Sequence, residues 1–181
     1  MKNPSAMLTS AHPPTRRELL MASSFALLIS GLPGCGFALR QAPNLPFNTI
    51  YAGFAESSSF GQELRRSLVS TGVRVITDNR QLDAAQVMLD VLQDQREKVV
   101  VGVNSTGLVR EFQLRIRFKF RLRDKAGNEI ISETELLQQR DFSFNESSAL
   151  AKEAEEALIY RSMQTDLVQQ VLRRLSAVKT L

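Results

Sequence analysis

Segment 109–123 alternates large apolar and basic side chains over most of its length. The apolar positions are Phe112, Leu114, Ile116, Phe118, Phe120 and Leu122, and the basic ones, here called the basic stripe, are Arg115, Arg117, Lys119, Arg121 and Arg123. A period of two predicts a β-strand, because successive side chains of a strand point to opposite faces of the sheet. We therefore expect other elements to cover one face, while the opposite face carries the basic stripe.

The first 34 residues are typical of an export signal rather than of a folded domain. Arg16 and Arg17 precede an apolar run at 19–32, which at 14 residues is too short to span a bilayer. The run ends in Leu32-Pro33-Gly34-Cys35, which resembles the lipobox of bacterial lipoproteins. We therefore predict that Cys35 becomes the lipid-bearing first residue of the mature protein.

The predicted layout has three parts, which are a cleaved signal peptide at 1–34, a lipidated N-terminus and linker at 35–47, and a single α/β domain at 48–181. The paired arginines also resemble a twin-arginine signal, so general secretory export and twin-arginine export both stay open. Gly36 follows the cysteine where an inner-membrane retention signal would place Asp. We therefore expect the anchor in the outer membrane, with the several acyl chains of a lipoprotein cysteine holding it stably.

The composition of the mature chain argues against enzyme activity. Removing residues 1–34 takes away three of 23 basic and one of 19 acidic residues, which leaves a net charge of +2. The same cut removes His12, the only histidine, and acylation consumes Cys35, the only cysteine. A catalytic triad, a Cys-His pair and a His/Cys metal site all need residues that are then missing. We predict no catalytic residues, no metal and no cofactor.

The rest of the chain predicts further strands and a helix around the alternating segment. Short apolar strands at 49–52 and 73–77 flank a helix that carries Phe60, Leu64 and Leu68 at helical spacing, which predicts β-α-β. Longer strands are predicted at 86–103 and 129–142, on either side of segment 109–123. The short turns between these three strands predict an antiparallel meander.

Residues 147–178 predict an amphipathic terminal helix. Its expected apolar face comprises Leu150, Ala154, Ala157, Leu158, Leu167, Val168, Val171, Leu172 and Leu175. Lys152 lies in the first or second turn, where the helix dipole disfavours a cation, and the apolar face does not need it. A cation that is unfavourable for the helix dipole and has no packing role suggests that Lys152 contacts a ligand.

The start of the mature chain resembles a known family. Cys35-Gly36-Phe37-Ala38-Leu39-Arg40 resembles the Cys-Gly-aromatic-x-Leu-Arg start of the LPS-assembly lipoprotein family, LptE. Segments 149–153 and 166–175 resemble the last helix of that family. The resemblance implies an α+β fold, with two helices packed on one face of a mixed, largely antiparallel four-stranded sheet in the order β-α-β-β-β-α.

The same resemblance implies a function and partners. Proteins of this family plug the LptD β-barrel, assist its assembly and bind lipopolysaccharide, so we expect a lipid-anchored protein at the periplasmic face of the outer membrane. Lys152 matches a basic residue of the family that is implicated in lipopolysaccharide contact. Turn 104–107 matches a loop that often carries a further basic residue, which is absent here.

Three interpretations of the basic stripe stay open at this point. It could bind the phosphates and sugar carboxylates of lipopolysaccharide. It could instead face an acidic barrel interior, or be a solvated face that Glu133 and Glu135 of the next strand partly neutralise. The alternative function is that of a periplasmic auxiliary lipoprotein of an ABC-type lipid transporter. Nucleic acid is not expected, since the mature chain has no global basic excess.

Overall fold

The computed structural model describes residues 43–179, in which two helices cover one face of a five-stranded sheet. The strands are β1 (Thr49–Ala52), β2 (Arg74–Ile76), β3 (Val87–Val103), β4 (Val109–Asp124) and β5 (Glu129–Ser143). They lie in the order β2-β1-β3-β4-β5. The helices are α1 (Ser59–Ser70) and α2 (Ala149–Ser176), and short 3-10 turns lie at Asn79–Ala84 and Glu146–Ser148.

The first three elements form the predicted β-α-β unit. β1 pairs in parallel with both β2 and β3. Helix α1 begins after Ser58, whose Oγ accepts a hydrogen bond from the Gly61 amide at 2.7 Å, as a helix cap does. The helix ends at Ser70, and Gly72 turns the chain back with a φ of +87°, which costs glycine little.

The meander β3-β4-β5 makes up most of the sheet, and both of its pairings are antiparallel. The mixed, largely antiparallel α+β fold predicted from the sequence is therefore confirmed. The strand count differs, because the structure has five strands where the family resemblance implies four. The shortest of the five is the edge strand β2, which has three residues, pairs with β1 alone and lies within the strand predicted at 73–77.

The two faces of β4 separate as the alternation predicts. Its apolar residues from Leu114 to Leu122 are at most 1% exposed on the face that the helices cover. The ring centre of Phe118 lies 4.1 Å from that of Phe60 on α1 and 5.6 Å from that of Phe120. The basic stripe lies on the other face, where its side chains are half-buried.

Helix α2 contributes its fully buried core residues from its C-terminal half, and Ile159 and Tyr160 pack against the core with partial burial. Its buried apolar residues are Met163, Leu167, Val168, Val171, Leu172 and Leu175. Within residues 43–179, neither helix combines the length and apolar character needed to cross a membrane.

Candidate functional site

Four of the five members of the basic stripe form a ladder of ion pairs on the outer face of the sheet. At one end, Asp90 of β3 lies between two arginines of β4. Its Oδ2 accepts hydrogen bonds from Nε of Arg121 at 2.9 Å and from Nε of Arg123 at 2.8 Å. Partial burial raises the pKa of Asp90, but the hydrogen bonds and charges of Arg123 and Arg121 together outweigh burial and hold it below its ordinary value.

The middle of the ladder joins β4 to β5. Arg117 donates to Oε1 of Glu135 at 2.6 Å, and Nζ of Lys119 lies 3.0 Å from Oε1 of Glu133. Both pairs join diagonal neighbours of the antiparallel register, in which Lys119 lies directly opposite Glu135. The outer face is therefore an ordered array of alternating charges.

Arg115 differs from the other four members of the stripe. Its Nε donates to Oε1 of Gln113 at 2.7 Å, and no carboxylate of residues 43–179 lies within ion-pair distance of it. Arg115 therefore keeps a positive charge that no carboxylate within this range directly neutralises.

Lys152 lies at the start of α2, on the side that faces the sheet. Its Nζ is 2.9 Å from Oε2 of Glu155, one turn along the helix, and 5.2 Å from the centre of the Phe142 ring. It also donates to Oγ of Ser143 at 3.4 Å. These contacts give the cation local partners that the sequence pattern did not reveal.

Three further charges lie on the helix side of β3, where their side chains are still exposed to solvent. A β-bulge between Val91 and Gln93 changes which residues face the helices. Beyond the bulge, Asp94, Arg96 and Lys98 lie opposite Phe118, Ile116 and Leu114 of β4, whose side chains are buried. The polar run at 93–98 was the only sequence signal for this feature.

The helices supply polar partners for these inner charges. Ser58 donates to Asp94 at 2.5 Å, and Nζ of Lys98 lies 2.6 Å from Oε2 of Glu156. Arg96 donates to Oγ of Ser59 at 2.7 Å and to Oε1 of Gln164. Arg96 forms part of a cleft of about 610 Å³ between β3 and the two helices.

Tyr160 forms the aromatic wall of this cleft. Its hydroxyl donates to the carbonyl oxygen of Glu97 at 2.6 Å, which fixes the orientation of the ring. Burial, followed by the negative charge of Glu156, raises the pKa of Tyr160 above its ordinary value. The hydroxyl is therefore a protonated donor at neutral pH.

The N-terminal half of α2 exposes apolar side chains, contrary to the expectation that they join the covered face. Leu150 is 84% exposed and Leu158 is 61% exposed, and Ala154 and Ala157 are exposed as well. Their helical positions lie opposite Lys152 and Glu156, which face the sheet. The four residues Leu150, Ala154, Ala157 and Leu158 are here called the outer α2 face.

Apolar residues are also exposed near the tip of the β3-β4 hairpin. They are Val100, Val101, Val103 and Leu108, each between 45% and 59% exposed. Phe144 donates from its backbone nitrogen to the carbonyl oxygen of Arg110 at 2.8 Å, which joins the entry to α2 to the hairpin. The tip and the start of α2 are therefore at the same end of the sheet.

The charged side chains of residues 43–179 do not cluster into a metal site. No group of three or more His, Cys, Asp or Glu side chains in this range could hold a metal ion. The polar clusters instead pair charges across strands and between the sheet and the helices. The fold is a small α+β module that carries charge pairs on both faces of its sheet.

Comparison with a family model identifies the family of this module. The model described as LptE, lipopolysaccharide-assembly, matches residues 47–175, and the chain belongs to this family. The resemblance recognised from the sequence is thereby confirmed. Membership also confirms the prediction that the protein is not an enzyme, since the family acts in lipopolysaccharide assembly without catalysis.

Individual relatives agree with this assignment. The chain is 25% identical over 165 residues to an LPS-assembly lipoprotein LptE of Pectobacterium atrosepticum, which covers 90% of this chain and 86% of the relative. It is 34% identical to an uncharacterised lipoprotein B of Nitrosomonas europaea solved by NMR, with a TM-score of 0.65 over 78% of this chain and 91% of that one. A rare lipoprotein B of Shewanella oneidensis, 18% identical, shares the fold with a TM-score of 0.59 over 72% of this chain and 95% of that one.

The chain is therefore a lipoprotein of the LptE family, with a part in lipopolysaccharide assembly. The predicted signal peptide, the predicted lipidation site Cys35 and the predicted linker as far as residue 42 lie outside the described residues. The predicted roles of Lys152 and the basic stripe remain predictions.

Proposed function

We propose that this protein is anchored through Cys35 at the periplasmic face of the outer membrane, forms a complex with the LptD β-barrel, assists the assembly of that barrel and binds lipopolysaccharide. Membership of the LptE family over residues 47–175 supports this proposal. The name of the Pectobacterium relative, which is an LPS-assembly lipoprotein, agrees with it.

The observation that carries the partner proposal is the outer α2 face. Leu150 and Leu158 expose most of their surface on the side of the helix that faces away from the sheet. A large exposed apolar patch on a folded domain marks an interaction site more often than an isolated exposed side chain does. A protein partner that covers this helix would bury both leucines, and the barrel is the partner that the family membership favours.

Co-purification tests the barrel proposal. We expect the full-length protein, isolated in mild detergent, to bring LptD with it, and the double substitution Leu150→Asp with Leu158→Asp to weaken that association at least tenfold. Stability should hardly change, because both side chains are exposed. Val69→Asp is the matched control, since Val69 is 57% exposed on α1, outside the outer α2 face.

The main partner of the wild-type protein separates the two candidate functions. Isolation of an inner-membrane ABC transporter complex in place of the barrel would favour the auxiliary lipoprotein of a lipid transporter. Equal recovery of LptD with the double variant and with the wild type would contradict a role for the outer α2 face.

Lipopolysaccharide binding is proposed for Lys152 and Arg115. Lys152 pairs with Glu155, whose side chain is 51% exposed, so a phosphate or carboxylate of the ligand could replace that partner. Arg115 has a neutral partner in Gln113. The other members of the stripe, Arg117, Lys119, Arg121 and Arg123, already pair with carboxylates, and this arrangement suits contact with a mixed-charge barrel wall.

Two charge-reversal variants test these roles. We expect Lys152→Asp to weaken lipopolysaccharide binding about tenfold, whereas Lys125→Asp, in the exposed β4-β5 turn, should leave it unchanged. The combined change Arg115→Glu, Lys119→Glu and Arg123→Glu should weaken both lipopolysaccharide binding and barrel co-purification. Unchanged values of both measurements in the triple variant would mean that the stripe is only a solvated face.

The anchor is tested by mass spectrometry of the mature protein. We expect a diacyl or triacyl group on the N-terminal Cys35 and none in Cys35→Ser, because the thioether requires a thiol. A wild-type N-terminus without acyl chains, or one at another residue, would contradict the lipoprotein anchor at this position.

A further inference from the structure

The cleft between β3 and the helices holds an arginine on the covered face of the sheet. Arg96 lies opposite Ile116 of β4, which is 1% exposed, so both side chains point toward the helix layer. β3 pairs with β1 only through Val87–Leu89, and the part of β3 that carries Arg96 therefore has a free edge on that side. The cleft opens beside this free edge.

The partners of Arg96 are neutral. Its guanidinium donates to the hydroxyl of Ser59 and to the amide oxygen of Gln164, and no carboxylate of residues 43–179 lies within ion-pair distance of it. Gln164 is 6% exposed, and its own amide nitrogen donates to Glu63 and to the carbonyl oxygen of Ser59. Neutral groups therefore hold the guanidinium in place, and no carboxylate of residues 43–179 pairs with its positive charge.

The rest of the cleft supplies the groups that a sugar would contact. The guanidinium carbon of Arg96 lies over the ring of Tyr160, 5.5 Å from the ring centre, so the cleft contains a cation next to an aromatic ring. Arg161 adds positive charge and Glu153 adds an acceptor for hydroxyl groups, whereas Lys98 and Glu156 pair with each other. A volume of about 610 Å³ is within the usual range of small-ligand sites, roughly 300 to 1,000 Å³.

We propose that this cleft binds an acidic sugar, that is, a hexose unit bearing a phosphate or a carboxylate. The planar guanidinium of Arg96 would hold the anionic group in a two-point interaction, with Arg161 at the rim. The ring of Tyr160 would pack against the apolar face of the sugar, and Glu153 would accept from a hydroxyl. Only the identity of the natural ligand rests on the proposed function. Lipopolysaccharide would be that ligand, because it carries both sugar phosphates and sugar carboxylates.

A simpler role for the inner charges is protection of the free edge of β3. Charged residues that point inward do discourage a second chain from pairing with an edge strand. Any charge would serve that purpose, whether or not its partners were neutral. The neutral partners of Arg96 and the adjoining aromatic face are what distinguish a ligand site from edge protection.

Calorimetric titration of the full-length protein in mild detergent tests the proposal. The probes are glucose 6-phosphate, glucuronate, glucose and inorganic phosphate. We expect at least one of the two acidic sugars to bind at least tenfold more tightly than either glucose or inorganic phosphate, and the stronger of the two identifies the anionic group. Equal affinity for inorganic phosphate, or no binding of either acidic sugar, would overturn the proposal.

Arg96→Gln should weaken binding of the acidic sugar at least tenfold, because it removes the charge and keeps hydrogen-bonding capacity. Arg161→Gln, at an exposed rim position, provides a second test if Arg96→Gln does not fold, and should weaken binding about threefold. The matched control is Arg74→Gln on β2 at the far edge of the sheet, with unchanged binding expected. Wild-type affinity in both cleft variants would also overturn the proposal.

Barrel co-purification of the same proteins separates this proposal from the proposed function. If the wild type associates with LptD but binds no acidic sugar, only the cleft assignment fails. If the wild type binds an acidic sugar but no barrel, the proposed function fails and the cleft assignment stands.

Discussion

The two faces of the sheet use the same strand in opposite ways. On the covered face of β4, Phe118 and its apolar neighbours are almost inaccessible to solvent and contact the helices. On the outer face, Arg117 and Lys119 keep about a third of their side-chain surface exposed and pair with carboxylates of β5. One face therefore holds the fold together, while the other stays accessible to a partner.

The energies expected for the two faces differ in size. Burial of a large apolar side chain contributes roughly 1.5 to 3 kcal/mol, and truncation adds the cost of a cavity. A surface ion pair contributes about 0 to 1 kcal/mol, because water and salt screen it. Substitutions on the outer face can therefore change binding with little effect on folding.

The largest expected loss of stability is that of Phe118→Ala. The Phe118 ring is 0% exposed and lies between the rings of Phe60 and Phe120. We expect the free energy of unfolding to fall by about 3 to 5 kcal/mol in denaturant titrations of the full-length protein. A loss below about 1 kcal/mol would contradict the assignment of this face as the core.

Two neighbouring leucines of β5 lie on opposite faces of the sheet, so the same Leu→Ala substitution can be compared on both faces. Leu136 is 3% exposed opposite Phe118, whereas Leu137 is 47% exposed opposite Arg117. We expect Leu136→Ala to cost about 2 to 4 kcal/mol and Leu137→Ala less than about 1 kcal/mol. Similar losses in thermal unfolding of the two variants would show that both faces contribute equally to stability.

Much of this fold could be predicted from the sequence where a local pattern repeats over many residues. The alternation in segment 109–123 predicted both faces of β4, and the turns beside it predicted the meander. Spacing alone could not show which part of the terminal helix is covered. Leu158 and Leu167 both have helical spacing, but only Leu167 meets the sheet and the other helix.

The candidate site was less predictable for a specific physical reason. A bulge of one residue changes the face of the sheet to which every following side chain points. The sequence around Leu92, where this bulge occurs, contains no signal that predicts it. Arg96 and Lys98 therefore gave no sign of facing the helices. The helix dipole and the family resemblance both point to Lys152, but its contacts with Glu155 and Phe142 depend on the folded chain.

Asp90→Asn is expected to have an intermediate effect that depends on pH. The pKa of Asp90 is lower in the folded protein than in the unfolded chain, where it is near 3.8. The charge of Asp90 therefore stabilises the fold above the unfolded pKa, and this stabilisation is lost as the pH falls through the folded pKa. We expect the variant to be about 1 kcal/mol less stable than wild type at pH 7. The difference should shrink as the pH falls below the unfolded pKa and through the folded one, because the protonated carboxyl resembles an amide. A difference measured in urea that stays the same from neutral to acidic pH would mean that the charge of Asp90 does not stabilise the fold.

The smallest expected effect is the coupling between Arg117 and Glu135. Their atoms are 2.6 Å apart, but about a third of each side chain is exposed, so water screens the pair. A double-mutant cycle with Arg117→Ala and Glu135→Ala should give a coupling free energy of about 0.5 kcal/mol at low salt. It should approach zero in about 1 M salt, where the screening length is roughly 3 Å. A coupling above about 2 kcal/mol that persists in salt would mean that the outer face also holds the fold together, and charge reversals there would then test stability as much as binding.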